Sequence, residues 1–587
     1  MTDLSRLNPD TIAFFLRKRA MTCANDVAYS YPDLQQHYSW GRIWEEVQLI
    51  ARGLLQLGVK KGDSVALLMT GRMELILSMF ATACVGAIIV PLNTYSKKNE
   101  LQAYLQSAKP MVIILGKEGH HLNYPSILTE IITDSQLSED LTSWLPSHMF
   151  VMDGEDGISS PFRPFTDLIR EGASVSVKDF FDVCRLATPN DPLILLYTSG
   201  TLGSPKGVLR TTASFLVSSP SVKKQKKISA VLQKLTDTIA RHFSVINLLP
   251  LYHLGGFGVV FTNLKSCNIR IVMISHFHPL NAIVAIEQEA CRILIGTPYM
   301  VQRMLSSAQG RLSSLSSLIG ISFTSAAVSS SLLKQVNSKL RLLFFMVTYG
   351  SSESGSVANG TCFIGGHRNL LLFLLFKLLT RSHLLSGMIE FDKFEQNSYS
   401  LAGKVDRGVH IRIQHPETGE ILPSHELGEV VVRSHRVMRY LNENQGNPVF
   451  TEDGWYKTGD LGYVDNHDHL TITGRLHRRI SRGGEKISPH EIESLLLTIS
   501  EVEDAFVLGI PDELYGERVC ACIVKREGSA MTAQSVKESL STHLSSFKVP
   551  EHIVFLPELP LSPTGKISLN DIKLLALHEV RGDVIHA

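Results

Sequence analysis

The segment Thr198-Ser-Gly-Thr-Leu-Gly-Ser-Pro-Lys-Gly207 carries residue types suited to holding phosphate. Glycines let backbone N–H groups crowd around phosphate oxygens, and Thr and Ser hydroxyls add donors. Lys206 can neutralise charge. The loop is not a Walker A loop, because Gly207 and Val208 follow the lysine where Ser or Thr is needed. On its own a Gly/Ser/Thr loop is as often a plain turn. What makes this one specific is its order of residues and its place after an apolar run, Pro192-Leu-Ile-Leu-Leu-Tyr197, that reads as a buried strand. Two similar runs, Val245–Leu249 and Leu342–Val347, also end in chemically unusual loops. In open α/β sheets ligands sit beyond the carboxyl ends of strands, so a ligand is expected at these ends.

The elements that must position those loops follow from patterning. Ser39 is placed to cap a helix whose Ile43, Val47, Ile50 and Leu54 fall on one face, with Gly58 where a C-terminal cap belongs. Ser64–Met69 reads as a strand, and helix and strand patterns then keep alternating, which predicts parallel sheets covered by helices. After Gly474 the character changes to a short strand, a helix near Ile492–Thr498 and alternating strands, as in a smaller α+β unit. The fold class is therefore α/β. A large N-terminal domain, 1–476, with parallel or mixed sheets flanked by helices, and a small α+β C-terminal domain, 477–587, are expected. Segments near 217–243 and 360–401 look inserted, the first basic, the second with an apolar core at Leu370–Leu379. The 587 residues exclude a single small binding module. A balance of 57 basic against 56 acidic side chains, net +1, gives no bulk-charge reason to expect nucleic acid or anionic membrane as the main partner. The 8 cysteines are sparse and lack a C-x-x-C pair, which suggests reduced thiols and a cytoplasmic location. Leu75–Leu92 is uncharged and at the lower edge of spanning length, but Gly86 and Pro91 interrupt it; a core helix followed by a buried strand is expected. Membrane contact is expected to be peripheral at most.

Tyr197–Gly207 resembles the phosphate loop of the acyl-adenylate-forming (AMP-binding) superfamily, which includes acyl-CoA synthetases, peptide-synthetase adenylation domains and firefly luciferase. Other motifs stand in the same order. Pro250-Leu-Tyr-His253-Leu-Gly-Gly256, Tyr349-Gly-Ser-Ser-Glu353 and Gly454-Trp-Tyr-Lys-Thr-Gly-Asp460 are similar to the motifs that follow the loop. Gly474-Arg475, Arg482-Gly-Gly-Glu-Lys486 with Pro489-His-Glu-Ile-Glu493, and Pro563-Thr-Gly-Lys-Ile567 resemble the hinge, the loop after it and the C-terminal lysine motif.

The resemblance implies a role for each residue. Thr198, Ser199, Gly200, Thr201, Gly203 and Lys206 would hold the ATP phosphates. Leu202 stands where a second Thr is usual, which removes one hydroxyl donor. Glu353 would be a Mg²⁺ ligand with Thr198 nearby, a hard oxygen donor suited to that ion. Tyr349 would lie on the adenine beside Gly350 and Ser352, Asp460 would accept both ribose hydroxyls, and Arg475 would contact the ribose-phosphate side. Lys566 would bridge the acyl carboxylate and the α-phosphate. His253 would flank that carboxylate, making Lys566, His253, Lys206 and Glu353 the catalytic set. For the second half-reaction the small domain would swing about His477, removing Lys566 and bringing Gly483 and Gly484 to the thiol of CoA. His477 replaces a more usual Asp or Lys. With Arg475, Arg478, Arg479 and Arg482 nearby, its protonation is expected to be disfavoured and the swing to be pH-sensitive.

Phe257, the Gly296-Thr-Pro-Tyr299 turn, Ser325, Ala326 and Ala327 would line the acyl pocket. These side chains are small or apolar and offer no ion partner, so an uncharged fatty or aryl/alicyclic acid is expected. The implied enzyme is an acid-thiol ligase: acyl-adenylate and pyrophosphate form first, then acyl-CoA and AMP, with ATP, Mg²⁺ and CoA required and fatty-acid or lipid metabolism as its setting. Three other readings stay open. One is an acyl-AMP ligase loading an acyl carrier protein, which the 360–401 segment suits. The others are a luciferase-like oxygenase and a non-catalytic nucleotide-binding or scaffold protein.

Overall fold

The computed structural model describes residues 3–120, 122–136, 143–152, 160–198, 206–216, 240, 243–265, 268–308, 310–326, 328, 330–363, 388–390, 400–440, 450–478, 480–482, 485–512, 515–544, 546–561 and 567–581. Among these residues the strands form two large sheets, a smaller third and a short hairpin. The helix Trp40–Gln56 begins as its sequence dictates: the Ser39 side chain accepts the Arg42 N–H, Ile43, Val47, Ile50 and Leu54 are buried, and Gly58 takes φ +83° just beyond the end.

The first sheet has 8 strands, and its central strands Pro192–Thr198, Ile88–Pro91, Ser64–Leu68 and Val112–Leu115 run parallel. The uncharged stretch from Leu75 to Leu92 is divided as expected. The helix Met73–Cys84 and the strand Ile88–Pro91 are both buried, with Gly86 turning between them at φ +76°. No helix among the described residues is long and apolar enough to cross a membrane.

The second sheet has 14 strands. Its parallel part carries Ser244–Asn247, Ile293–Gly296, Gly320–Phe323 and Phe344–Ser351 side by side. Beyond Phe344–Ser351 the sheet turns antiparallel. That strand begins two residues later than its apolar run and continues through Tyr349, because it pairs as a hairpin with Gly355–Phe363. Met388–Glu390 and Ser400–Val405 both pair with Gly355–Phe363, so the chain comes back to the same strand twice. The Leu370–Leu379 run and the basic stretch from 223 to 239 lie outside the described residues.

A 3-10 turn, Leu476–Arg478, leads from the second sheet to a 5-stranded sheet made by Ile480–Arg482, Glu485–Ile487, Val502–Asp512, Gly516–Lys525 and His552–Leu556. Helices Pro489–Leu496, Ala533–Ser541 and Leu569–Arg581 accompany these strands. No disulfide joins the described cysteines, and all of them except Cys23 are buried.

Candidate active site

The site forms where the two large sheets meet. Thr198 ends the strand Pro192–Thr198, and its Oγ1 donates to Glu353 Oε1 at 3.2 Å. Glu353 sits on the tip of the hairpin formed by Phe344–Ser351 and Gly355–Phe363. The hairpin can close so tightly because Gly350 has no side chain: a Cβ there would stand 2.1 Å from the Gly355 carbonyl oxygen.

Tyr349 precedes the tip and donates its hydroxyl to Asp460 Oδ2 at 2.7 Å. Arg475 Nε meets the other carboxylate oxygen at 2.9 Å, since Asp460 and Arg475 are paired across neighbouring strands. Burial pushes the Asp460 carboxyl above its ordinary range, opposed by the Arg475 charge and the Tyr349 hydroxyl. Burial likewise drives the Tyr349 phenol far up, so it acts as a donor. The charge of Asp460 holds the Arg475 guanidinium above its usual range.

His253 stands at the mouth of the helix Leu254–Lys265. Its N–H bonds the Pro250 carbonyl at 3.2 Å, its carbonyl accepts the Phe257 N–H at 3.0 Å, and its ring lies tilted against Tyr252 at 4.6 Å. Gly256 permits that tight entry, because a Cβ would lie 2.3 Å from the Pro250 oxygen and 2.6 Å from the Leu249 oxygen. Gly256→Ala is therefore expected to destabilise the fold by about 1–3 kcal/mol, read as a lower midpoint in denaturant unfolding. An unchanged midpoint would show that the entry relaxes freely.

A cavity of about 380 Å³ opens beside this loop. Tyr252, Tyr299, Met300, Tyr95, His120 and His276 are among the residues that line it, with the Tyr95 and His120 rings stacked at 3.5 Å. Leu561, from the C-terminal unit, also lines it. The volume is within the range of about 300–1,000 Å³ common for small-molecule sites.

Residues 16–441 match the AMP-binding enzyme family, and residues 491–566 match the AMP-binding enzyme C-terminal domain. The chain belongs to the AMP-binding enzyme family. It is 25% identical over 578 residues to the mitochondrial medium-chain acyl-CoA ligase ACSF2 of Mus musculus, covering 96% of this chain and 88% of that one. Among solved structures it is similar to ATP-bound MatB from Rhodopseudomonas palustris, with a TM-score of 0.74, 21% identity and coverage of 96% and 98%. It is also similar to o-succinylbenzoate CoA synthetase (MenE) from Bacillus subtilis with its acyl-adenylate intermediate OSB-AMP, with a TM-score of 0.67, 22% identity and coverage of 95% and 97%. The α/β architecture with a small C-terminal unit is that of these enzymes.

Of the residues the family resemblance singled out, the structure gathers Thr198, Tyr349, Gly350, Ser352, Glu353, Asp460 and Arg475 at the strand ends, and Lys206 pairs with Thr198 across the base of the phosphate loop. Ser199, Gly200, Thr201, Gly203, Ala327, Gly483, Gly484 and Lys566 lie outside the described residues. Phe257 is placed differently from the sequence expectation. It is fully buried, stacked on Phe261 at 4.0 Å and against Phe215 at 5.2 Å. Helical phase explains this: Phe257, Val260, Phe261 and Leu264 share the core face, which turns Phe257 away from the cavity. Tyr299 does line the cavity, whereas Ser325 and Ala326 do not. Ser325 holds a left-handed backbone, φ +71°, with its Oγ about 3.9 Å from the position of a Cβ on Gly255, so it faces the His253 loop.

Of the four arginines expected around His477, three have carboxylate partners and Arg479 lies outside the described residues. Arg475 is paired with Asp460, Arg478 with Glu493 at 2.6 Å, and Arg482 with Glu551 at 2.5 Å. The backbone of His477 lies in the turn Leu476–Arg478, and its side chain is outside the described residues. Sequence reasoning missed Tyr95, His120 and His276, each an ordinary surface-type residue in its own segment, with no spacing to link them.

Among the described residues no three His, Cys, Asp or Glu side chains gather as a metal cage. The carboxylate of Glu353 beside the hydroxyl of Thr198 is a hard-oxygen set that fits Mg²⁺, an ion commonly held by one or two carboxylates together with nucleotide phosphates.

Proposed function

We propose that this protein uses ATP to activate an apolar carboxylic acid, fatty or aryl/alicyclic. An oxygen of the acid attacks the α-phosphorus, the bond to the β-phosphate breaks, and pyrophosphate leaves with an acyl-adenylate remaining. The sulfur of CoA then attacks the acyl carbon, its proton is lost, and AMP departs. The observation that carries this reading is the convergence at one place of the Thr198–Glu353 contact and the Tyr349–Asp460–Arg475 network, in a chain of the AMP-binding enzyme family.

The roles follow from charge and position, because neither the nucleophile nor the leaving group needs covalent help. Thr198 and Glu353 would hold Mg²⁺, which supplies charge neutralisation at the phosphates. Asp460 accepts the ribose hydroxyls. Lys206 and the loop before it hold the β- and γ-phosphates, His253 flanks the acid's carboxylate, and Lys566 spreads charge between carboxylate and α-phosphate. The cavity beside His253 takes organic parts of the substrates.

The test is ATP–pyrophosphate exchange over a panel of carboxylic acids, repeated with CoA. Exchange that depends on an apolar acid, with AMP release accelerated by CoA, is expected. Absence of exchange with every acid would remove the enzymatic reading. A carrier-protein acceptor is the second reading, favoured by the length of chain that separates the paired strands Gly355–Phe363 and Ser400–Val405. Acid-dependent exchange without any CoA effect would select it.

A further inference from the structure

Arg210 lies on the strand Lys206–Thr211, which leaves the phosphate loop, and it is only 2% exposed. It faces the same way as Val208, which is buried at 0% exposure. Its Nη1 donates to the carbonyl oxygen of Ser352 at 2.9 Å, and its guanidinium lies over the Phe215 ring at 4.8 Å. Burying a guanidinium here is costly. Desolvation, with the neighbouring charge of Arg436 adding to it and Glu353 opposing, brings its pKa down to about 10. Among the described residues Arg210 Nε also has no hydrogen-bond partner. An apolar side chain would fill this position without either cost, so packing alone does not account for an arginine.

What Arg210 holds is the turn bearing Glu353. The Ser352 carbonyl is taken by Arg210, and the Glu353 carbonyl accepts the Met438 N–H at 2.9 Å. The Ser356 carbonyl accepts Arg436 Nη1 at 3.0 Å. Arg436 is itself fixed by Asp406 Oδ2 at 2.6 Å, and Asp406 accepts from the Ser356 hydroxyl at 2.8 Å and from Asn359 Nδ2 at 2.7 Å. Two guanidinium groups thus grip the hairpin tip on either side of Glu353. The grip is continuous with the phosphate loop, because Arg439–Tyr440 pairs with Leu209 and Val208 of the Arg210 strand.

We propose that Arg210 and Arg436 are positioning residues that act through this turn, holding the Glu353 carboxylate against Thr198 in the geometry that receives the metal–nucleotide. The inference rests on the proposed function, in which Glu353 meets the metal. A loosened turn leaves the carboxylate present but averaged over positions, which weakens metal binding while the nucleotide's other contacts persist.

The experiment titrates Mn²⁺, followed by electron paramagnetic resonance, into the full chain at saturating ATP, and separately measures ATP binding without metal. In Arg210→Met, which keeps the bulk and removes the donors, the Mn²⁺ dissociation constant is expected to rise about 10–100-fold. The metal-free ATP affinity should stay at the wild-type value. Arg210→Lys, with a single point of contact, should recover part of the loss. Arg436→Met should raise the Mn²⁺ constant as well, and the double variant should lose less than the sum of the two. Wild-type Mn²⁺ affinity in a folded Arg210→Met overturns the inference and leaves the proposed function standing. Equal losses in metal-free ATP and in Mn²⁺ binding also overturn it, as general loosening of the site. Should Arg210→Met fail to fold, Arg436→Met decides: a raised Mn²⁺ constant with unchanged metal-free ATP affinity supports the clamp, and an unchanged Mn²⁺ constant sinks it. A wild-type chain that binds no Mn²⁺–ATP at all removes the proposed function and the inference together.

Discussion

Lys566→Ala is expected to lower acid-dependent ATP–pyrophosphate exchange by about 10²–10³-fold while leaving ATP binding intact, the size of loss seen when one preorganised charge stabiliser is removed. Leu561 and Ile567 are joined by an isolated antiparallel bridge, and the Ser568 N–H bonds the Pro560 carbonyl at 2.8 Å, so the ends of the segment carrying Lys566 are tied together. Leu561 also lines the cavity that reaches Tyr252 and Tyr299, next to His253. The C-terminal unit is in touch with the large sheets at a second place, where Ser488 Oγ approaches the Thr473 carbonyl at 3.4 Å. A lysine is a compact point charge on a long stem, which suits a group that must meet carboxylate and phosphate oxygens together. Because the part proposed for it is confined to adenylation, the variant should still convert a synthetic acyl-adenylate and CoA into acyl-CoA. Exchange near the wild-type rate would refute the role. Loss of both half-reactions would show instead that the substitution damages the whole site.

What could be read in the sequence was local chemistry on regular elements. The helix Trp40–Gln56 was legible from its cap and its 3.6-residue stripe, and the helix–strand pair within 75–92 from Gly86 and the switch to β-branched residues. Thr198, Glu353 and Asp460 were singled out because each sits in a motif that resembles one of the family's, and the structure places Thr198 against Glu353 and Asp460 against Tyr349 and Arg475. The limits were set by phase and by distance. Phe257 follows a motif, yet the turn of its helix aims it at Phe261 and Phe215 in the core. The hairpin at Tyr349–Glu353 was hidden because its second strand, Gly355–Phe363, has no apolar alternation strong enough to announce it; the pairing itself makes it a strand. Arg210 and Arg436 lie 226 positions apart in the chain, and only the pairing of Leu209 with Arg439 brings them to one turn. A single arginine in a strand reads as a surface charge until the fold shows it buried. The partners of two arginines near His477 were hidden for a related reason: Glu493 and Glu551, which pair with Arg478 and Arg482, come from later in the chain and could not be matched to them by spacing.

Asp460→Ala should weaken ATP binding by about 10²-fold or more, since two hydrogen bonds to a charged acceptor contribute about 1.5–3 kcal/mol each and about 1.4 kcal/mol is tenfold. The carboxylate can carry this load although it already accepts from Tyr349 and Arg475. An ionised carboxyl group offers about four lone-pair sites, so room is left for both ribose hydroxyls. Asp460→Asn keeps the shape but loses the charge and half the acceptor capacity, and should fall between wild type and alanine. The same residue gives the site a pH dependence of definite sign. Burial raises the Asp460 carboxyl above the ordinary range, so as pH falls it takes up its proton earlier than an exposed aspartate would. The proposed ribose acceptor is then lost, and ATP affinity should decline in mild acid. Stability moves the other way. A carboxyl whose folded-state pKa lies above its unfolded value opposes folding while ionised, and that opposition fades as pH drops through the folded value. Weakening of ATP binding should therefore come without unfolding from this group. The ratio of wild-type to Asp460→Asn affinity, measured down the pH scale, cancels the nucleotide's own titration. A ratio that shrinks toward unity in acid is the expected result. A ratio that stays constant would mean that the Asp460 carboxylate does not set the nucleotide affinity.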